Sequence, residues 1–222
     1  MKQNTSATVT ESILLNKMQV KITRVASVDR LYAALVAKGD AHADVLDERI
    51  PYWADLWHSA IGLAHYLVEN RELVEGRQVL EIGCGLGLPG LVAARLGAEV
   101  TMTDYIEAAL TSAADNAAQN GINKIVFRQM DWRKPDAALA AHVVLASDVA
   151  YESRSFDTLP ATFRTLLKPG GLALVSEPGR TFAENFFDSL GNAFTHSVFE
   201  KPVTYRDITL PVKIHVLRMN QQ

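Results

Sequence analysis

The segment Val79-Leu80-Glu81-Ile82-Gly83-Cys84-Gly85-Leu86-Gly87-Leu88-Pro89-Gly90 passes from an apolar run into a turn with glycines at 83, 85, 87 and 90. Glycine adopts positive φ without strain and lets a ligand approach the backbone without meeting Cβ atoms, so something flat and polar is expected to lie across this turn. The spacing Gly85-x-Gly87-x-x-Gly90 satisfies the dinucleotide pattern G-x-G-x-x-G. Glu81 with Gly83, Gly85 and Gly87 makes a second pattern, E-x-G-x-G-x-G. A pyrophosphate favours a loop without an adjacent carboxylate, whereas a cationic ligand tolerates one. A plain tight turn would use the same glycines.

Further acids sit at the ends of later apolar runs. Asp104, followed by Tyr105, lies 21 residues after Gly83, where a carboxylate can accept hydrogen bonds from ribose hydroxyls or cap a helix starting near Ile106. Asp131-Trp132 offers an acceptor for an adenine amino group beside a flat indole, although Trp132 also suits an ordinary core. Ser147-Asp148-Val149-Ala150-Tyr151 ends another run. There Asp148 can orient an amine, and Tyr151 presents an aromatic face and a hydroxyl; the alternative is a helix cap and a packing residue.

Other chemistries find no support. His42, His58, His65, His142, His196 and His215 form no metal spacing with Cys84, and no H-E-x-x-H occurs. Ser147 lies in no G-x-S-x-G elbow. Cys84 reads as a small packing residue, because a neighbouring Glu81 raises a thiol pKa.

The elements that must carry these residues repeat regularly. From residue 78 onward, short β-branched runs at 78–82, 98–103, 124–129, 142–147 and 171–177 alternate with helical patterns at 88–96, 106–120, 155–167 and 180–190. Gly97, Gly121 and Lys168-Pro169-Gly170-Gly171 supply the stops. Two alternating runs, 194–201 and 207–219, close the chain, and Pro211 in the second predicts a bulge or an edge position. The upstream segment of about 75 residues does not repeat the unit: 12–25 alternates weakly as a strand or hairpin, 27–37 reads as a helix, and 55–69 as an amphipathic helix.

With 222 residues, one sizeable α/β domain is expected. The formal charge of −3, without a block of Lys or Arg, argues against duplex DNA or an anionic membrane as partner. A single cysteine permits no intrachain disulfide, the polar N-terminus lacks the apolar core of a signal peptide, and no run approaches the ~18 apolar residues of a membrane span. These features predict a soluble cytoplasmic protein.

The chain resembles the class I, seven-β-strand S-adenosylmethionine-dependent methyltransferases, and within them the methyltransferase-16 type of protein lysine methyltransferase. Trp53-Ala54-Asp55-Leu56-Trp57, the Gly83 to Gly87 loop and Ser147-Asp148-Val149-Ala150-Tyr151 carry the likeness, over about residues 50–180. It implies a Rossmann-like, doubly wound α/β sheet of seven strands, mostly parallel with an antiparallel C-terminal strand, as residues 51–222. Residues 1–50 would be an N-terminal extension packed on that domain. The implied cofactor is S-adenosyl-L-methionine, leaving as S-adenosyl-L-homocysteine. It would be bound by Trp57, Glu81, Gly83, Cys84, Gly85, Gly87, Asp104, Tyr105, Asp131, Trp132 and Ser147, with Asp148 and Tyr151 catalytic at the acceptor. No metal is implied, and the expected partner is a protein lysine. A small-molecule N- or O-methyltransferase and a non-catalytic cofactor-binding protein remain open. Adenine-N6 methylation of nucleic acid is disfavoured, because the run at 142–147 ends in Ser-Asp-Val-Ala-Tyr and lacks an Asn-Pro-Pro-Tyr type of motif. His58 stands where related bacterial sequences usually carry proline. The expected state is a monomer or weak oligomer.

Overall fold

The computed structural model describes residues 7–47, 49–149, 158–179, 187, 190 and 193–220. Strands β3 (Gln78–Ile82), β4 (Glu99–Asp104), β5 (Val126–Gln129), β6 (Ala141–Ser147), β7 (Leu167–Glu177), β8 (Phe194–Tyr205) and β9 (Ile208–Met219) form a seven-stranded sheet in the order β5-β4-β3-β6-β7-β9-β8. β3 pairs parallel with β4 and β6, while β9 runs antiparallel between β7 and β8. The order reverses at β3, and a crevice therefore opens at the carboxyl ends of β3, β4 and β6, beside the glycine turn.

Helices cover both faces. α3 (His58–Glu69), α4 (Leu88–Arg95) and α5 (Glu107–Gln119) carry the buried residues Leu63, Leu67, Leu91, Val92, Leu110 and Ala113 to the face bearing Val79 and Leu145. α6 (Leu159–Leu166) brings Leu159, Phe163 and Leu166 to the opposite face, with Leu80, Ile82 and Val144. The alternation Val79 in, Leu80 out, Ile82 out is that of a strand buried on both sides.

Upstream, β1 (Thr8–Leu15) and β2 (Met18–Val25) form a separate antiparallel hairpin, followed by α1 (Asp29–Val36) and the short α2 (Ala43–Leu46). Leu15, Val20 and Ile22 of the hairpin join the core on the side of α3, α4 and α5.

The sequence boundaries hold with instructive exceptions. The helix expected from Asp55 starts at His58, because a 3-10 turn at Tyr52–Ala54 is followed by extended backbone at Asp55 and Trp57. β7 begins at Leu167, taking in the Lys168-Pro169-Gly170 segment, with a register shift between Ala141 and Val143 in its partner. β8 runs on to Tyr205, because Arg206 and Asp207 at φ 49° and 62° supply the paired positive φ of a tight hairpin turn. Pro211 pairs with Pro202 beyond Lys213, the last β9 residue paired to β7, so it occupies a free edge and no bulge is needed. The first part of the helix expected at 155–167, and nearly all of that at 180–190, lie outside the described residues.

Candidate active site

The carboxyl end of β3 turns sharply. Gly83, Gly85 and Gly87 have φ of 60°, 52° and 83°, and Gly87 is the N-cap of α4. A Cβ on Gly83 would lie 2.7 Å from Trp132 Cζ3, and one on Gly85 would lie 3.3 Å from the Trp53 carbonyl oxygen. Glycine is therefore required twice over, by conformation and by close approach. Above the turn is a cavity of about 630 Å³, lined by ten of the eleven cofactor residues selected from sequence: Trp57, Gly83, Cys84, Gly85, Gly87, Asp104, Tyr105, Asp131, Trp132 and Ser147. Asp148 lines it as well. Tyr151 lies outside the described residues.

Glu81 does not line the cavity. Strand alternation puts it on the Val79 face, fully buried beneath α4, where Oε2 accepts from Gly90 N–H at 3.1 Å. A Cβ on Gly90 would sit 2.5 Å from that oxygen and 2.5 Å from Met102 Cε, so Gly90 makes room for both side chains. Burial pushes the Glu81 pKa up to about 8, only partly opposed by the Gly90 N–H, with the charge of Asp104 adding to the rise. The carboxyl braces the start of α4 from behind the glycine turn.

Asp104, 7% exposed, does face the cavity. One oxygen accepts from Gly85 N–H at 3.0 Å and the other from Ile106 N–H at 2.9 Å. The helix-start and ligand readings thus coexist, since each carboxylate oxygen keeps a further lone pair. Burial raises its pKa. Cys84 is buried with its thiol pKa pushed up, by burial first and then by Asp104 and Glu81, so it packs rather than reacts.

At the β4–β5 end the cavity wall includes residues the sequence reading did not select. Arg133 donates to Asp47 Oδ1 at 2.7 Å and lies 2.8 Å from Asp131 Oδ2, joining the loop after β5 to the segment after α2. Arg49 donates to the Tyr105 hydroxyl, and the guanidiniums of Arg49 and Arg133 stand 4.4 and 5.1 Å from the Tyr105 ring centre. The Arg133 hydrogen bond holds the Asp47 carboxyl down at about 2. Asp131 also accepts from Arg133 N–H at 2.9 Å, so it meets any ligand as one arm of an ion pair.

The β6–β7 end differs. Asp148 takes φ 53° and donates its N–H to Ser176 O at 2.8 Å, while Ser176 Oγ donates to Ser59 O at 2.9 Å. The first bond ties the end of β6 to β7, and the second ties β7 to the first turn of α3, whose N-cap is Trp57. The Trp57 indole donates to Tyr52 O at 2.8 Å and meets the Tyr52 ring edge-on at 6.0 Å. The His58 ring Nε2 lies within hydrogen-bond distance, 3.0 Å, of the accepting Ile208 carbonyl oxygen. A single crevice is therefore lined both by the ion-paired Asp47, Arg133 and Asp131 and by Tyr52, Trp57 and Asp148.

Residues 51–193 match the lysine methyltransferase family. Among similar proteins, rat histone-arginine methyltransferase METTL23 is 32% identical over 140 residues, covering 58% of this chain and 62% of the relative. Protein N-lysine methyltransferase METTL21A of Xenopus tropicalis is 31% identical over 127 residues, 55% of this chain and 59% of the relative. The histidine protein methyltransferase 1 homolog of Dictyostelium discoideum is 36% identical over 110 residues, 47% and 36% of the two chains. The chain thus spans less than two thirds of each of these relatives. Among solved structures, the ribosomal protein L11 methylase of Lactobacillus delbrueckii subsp. bulgaricus superimposes with a TM-score of 0.61 at 23% identity, covering 75% of this chain and 81% of that one. The N-methyltransferase NodS of Bradyrhizobium japonicum WM9 gives 0.58 at 16% identity, covering 71% and 94%. At these identities the structures show a shared fold.

Proposed function

We propose, from the premise that this chain belongs to the lysine methyltransferase family, that it is an enzyme transferring a methyl group from S-adenosylmethionine to a lysine side chain of a protein. The observation that carries the reading is the continuity of one cavity from the Gly83 to Gly87 turn and Asp104 to Asp148. The names of METTL21A, METTL23 and the histidine methyltransferase homolog all denote methylation of proteins, which supports a protein acceptor.

The residues present fit this cofactor. Positive φ at three glycines opens the backbone to a ligand, Asp104 keeps acceptor capacity toward ribose hydroxyls, and Trp132 with Tyr105 provides flat faces for an adenine. When bound, the cofactor supplies an electrophilic methyl carbon on a sulfonium. The chain's task is then to align a neutral amine with it, because positioning supplies most of the gain in an in-line displacement. Asp47, Asp55, Asp104, Asp131 and Asp148 line the cavity against Arg49 and Arg133, a balance that attracts a cationic side chain. A lysine ammonium, with an ordinary pKa of about 10.4, enters charged and must release a proton to solvent water to give the neutral amine before transfer. Asp148 holds and orients that ammonium at the β6 end, with Tyr151 as its aromatic and hydroxyl companion.

The same reading takes 51–222 as the methyltransferase unit with 1–50 as an extension packed on it, and the protein as a cytoplasmic monomer or weak oligomer without nucleic-acid or membrane partners. Cys84 is a buried free thiol, which suits a reducing compartment. No helix among the described residues is long and apolar enough to cross a membrane.

The test is incubation of the protein with methyl-labelled S-adenosylmethionine and cell lysate, followed by mass spectrometry of labelled bands. Label on lysine Nζ of a protein is expected. Label on arginine or histidine would move the acceptor within the family, and label confined to small molecules or RNA would overturn the protein-acceptor reading.

A further inference from the structure

The edge of β2 that faces away from β1 is paired with side chains instead of a strand. Thr23 N–H donates to Asn116 Oδ1 at 2.8 Å, and Thr23 O accepts from Asn116 Nδ2 at 3.2 Å. Two residues earlier, Lys21 N–H donates to Asn120 Oδ1 at 3.0 Å, and Lys21 O accepts from Asn120 Nδ2 at 2.6 Å and Gln119 Nε2 at 3.3 Å. Asn116, Gln119 and Asn120 stand at i, i+3 and i+4, on one face of α5 and at its C-cap, and each primary amide offers the donor and acceptor of a peptide group. The helix thus imitates a neighbouring strand and satisfies an edge that would otherwise invite pairing with another chain.

Asn116 reaches in a second direction as well. It is fully buried, and its Nδ2 also donates to Leu86 O at 3.0 Å, inside the glycine turn. Leu86 lies between Gly85 and Gly87, both at positive φ, and lines the cavity. One rigid amide therefore ties the N-terminal hairpin to the peptide plane on which the cofactor would lie. An undocked hairpin would strip this buried amide of the Thr23 partners that fix its orientation, and its bond to Leu86 would lose that support.

We infer that Asn116 is a positioning residue for the cofactor turn, and that docking of the β1–β2 hairpin on α5 is coupled to cofactor binding. The inference rests on the reading that the cofactor occupies this turn. Coupling is reciprocal: if docking favours the bound turn, ligand must favour docking.

Backbone hydrogen exchange of the full chain with and without S-adenosylhomocysteine tests it. In the wild-type protein the ligand is expected to slow exchange at Thr23 and Lys21 by about fivefold or more, in addition to protecting Gly85 and Ile106. Thr23→Pro removes the outward N–H, which takes no part in the β1–β2 ladder, together with the hydroxyl bonds to Gln119 and Thr10, and Asn116→Asp keeps the acceptor but removes both donated bonds. Each is expected to weaken S-adenosylhomocysteine binding about tenfold, with Asn116→Gln recovering less than wild type. Protection confined to Gly85 and Ile106 with unchanged rates at Thr23 and Lys21 would overturn the coupling even if a variant failed to fold. Wild-type affinity in Thr23→Pro would overturn it as well. A wild-type protein that binds no S-adenosylhomocysteine would remove the cofactor reading itself, and this inference with it.

Discussion

The floor and the roof of the cavity are built on different physics. The floor is the β3 turn with Asp104, held by three positive-φ glycines and by backbone N–H groups bonded to a carboxylate that is 7% exposed. The roof comprises residues 47 and 49–57, and its polar ties include the Asp47–Arg133 pair, the stacking of Arg49 on Tyr105 with its bond to the hydroxyl, and the Asp55–Arg206 pair. Those ties are partly hydrated, with Arg133 39% exposed, so each contributes little to stability. Replacing a floor residue is therefore expected to remove binding, and replacing a roof residue only to adjust it.

The largest effect is expected from Gly85→Val. A β-branched residue at φ 52° with its Cβ 3.3 Å from Trp53 O combines backbone strain with a tight contact against backbone, together roughly 2 to 5 kcal/mol. Calorimetry should find S-adenosylhomocysteine affinity reduced at least about 100-fold. Wild-type affinity would mean that the floor is not the binding surface.

Glu81→Gln sharpens the comparison through pH. The Glu81 pKa is raised from 4.5 to about 8, so the neutral acid is the folded form. Its contribution to stability is complete below about pH 4.5 and is lost as pH rises through about 8. Thermal melts should show wild type and Glu81→Gln alike near pH 5. Near pH 9 the variant should be more stable by a few kcal/mol, on the order of the shift itself. Parallel melting curves across this window would mean that Glu81 is ionised in the fold.

Asp148→Asn moves to the acceptor end. Asparagine keeps size and one acceptor but removes the charge, and losing a charge-assisted hydrogen bond of about 1.5 to 3 kcal/mol should slow transfer roughly 10- to 150-fold. Cofactor affinity should change by less than about twofold. Joint loss of affinity and melting temperature would assign Asp148 to the turn after β6 instead.

The smallest effect belongs to the roof. Asp47→Ala should weaken S-adenosylhomocysteine binding by less than about fivefold at physiological salt, with a larger difference at low salt, because its ion pair is hydrated. A loss comparable to that of Gly85→Val would erase the distinction between floor and roof.

This contrast also explains what the sequence disclosed. The βα units were legible because Gly97, Gly121 and the Lys168-Pro169-Gly170 segment punctuate them, and the glycine turn announced itself by composition. The start of α3 was misplaced because nothing local marks Asp55 and Trp57 as extended; Arg206, 151 positions away, pairs with Asp55. Glu81 was assigned to the ligand on motif likeness, although strand parity with Val79 places it beneath α4. Asp47 and Arg133 meet across 86 positions and Asn116 and Thr23 across 93, separations that carry no periodic signal. The i, i+3, i+4 amides of α5 were visible, but such a face reads equally well as solvated.

The most direct measurement is a calorimetric titration of the wild-type chain with S-adenosylhomocysteine, set beside one with NADH, since both cofactors suit a glycine turn. Micromolar or tighter binding of S-adenosylhomocysteine, about −8 kcal/mol or better, with no heat from NADH, is the predicted result. Heat from NADH and none from S-adenosylhomocysteine would contradict the account.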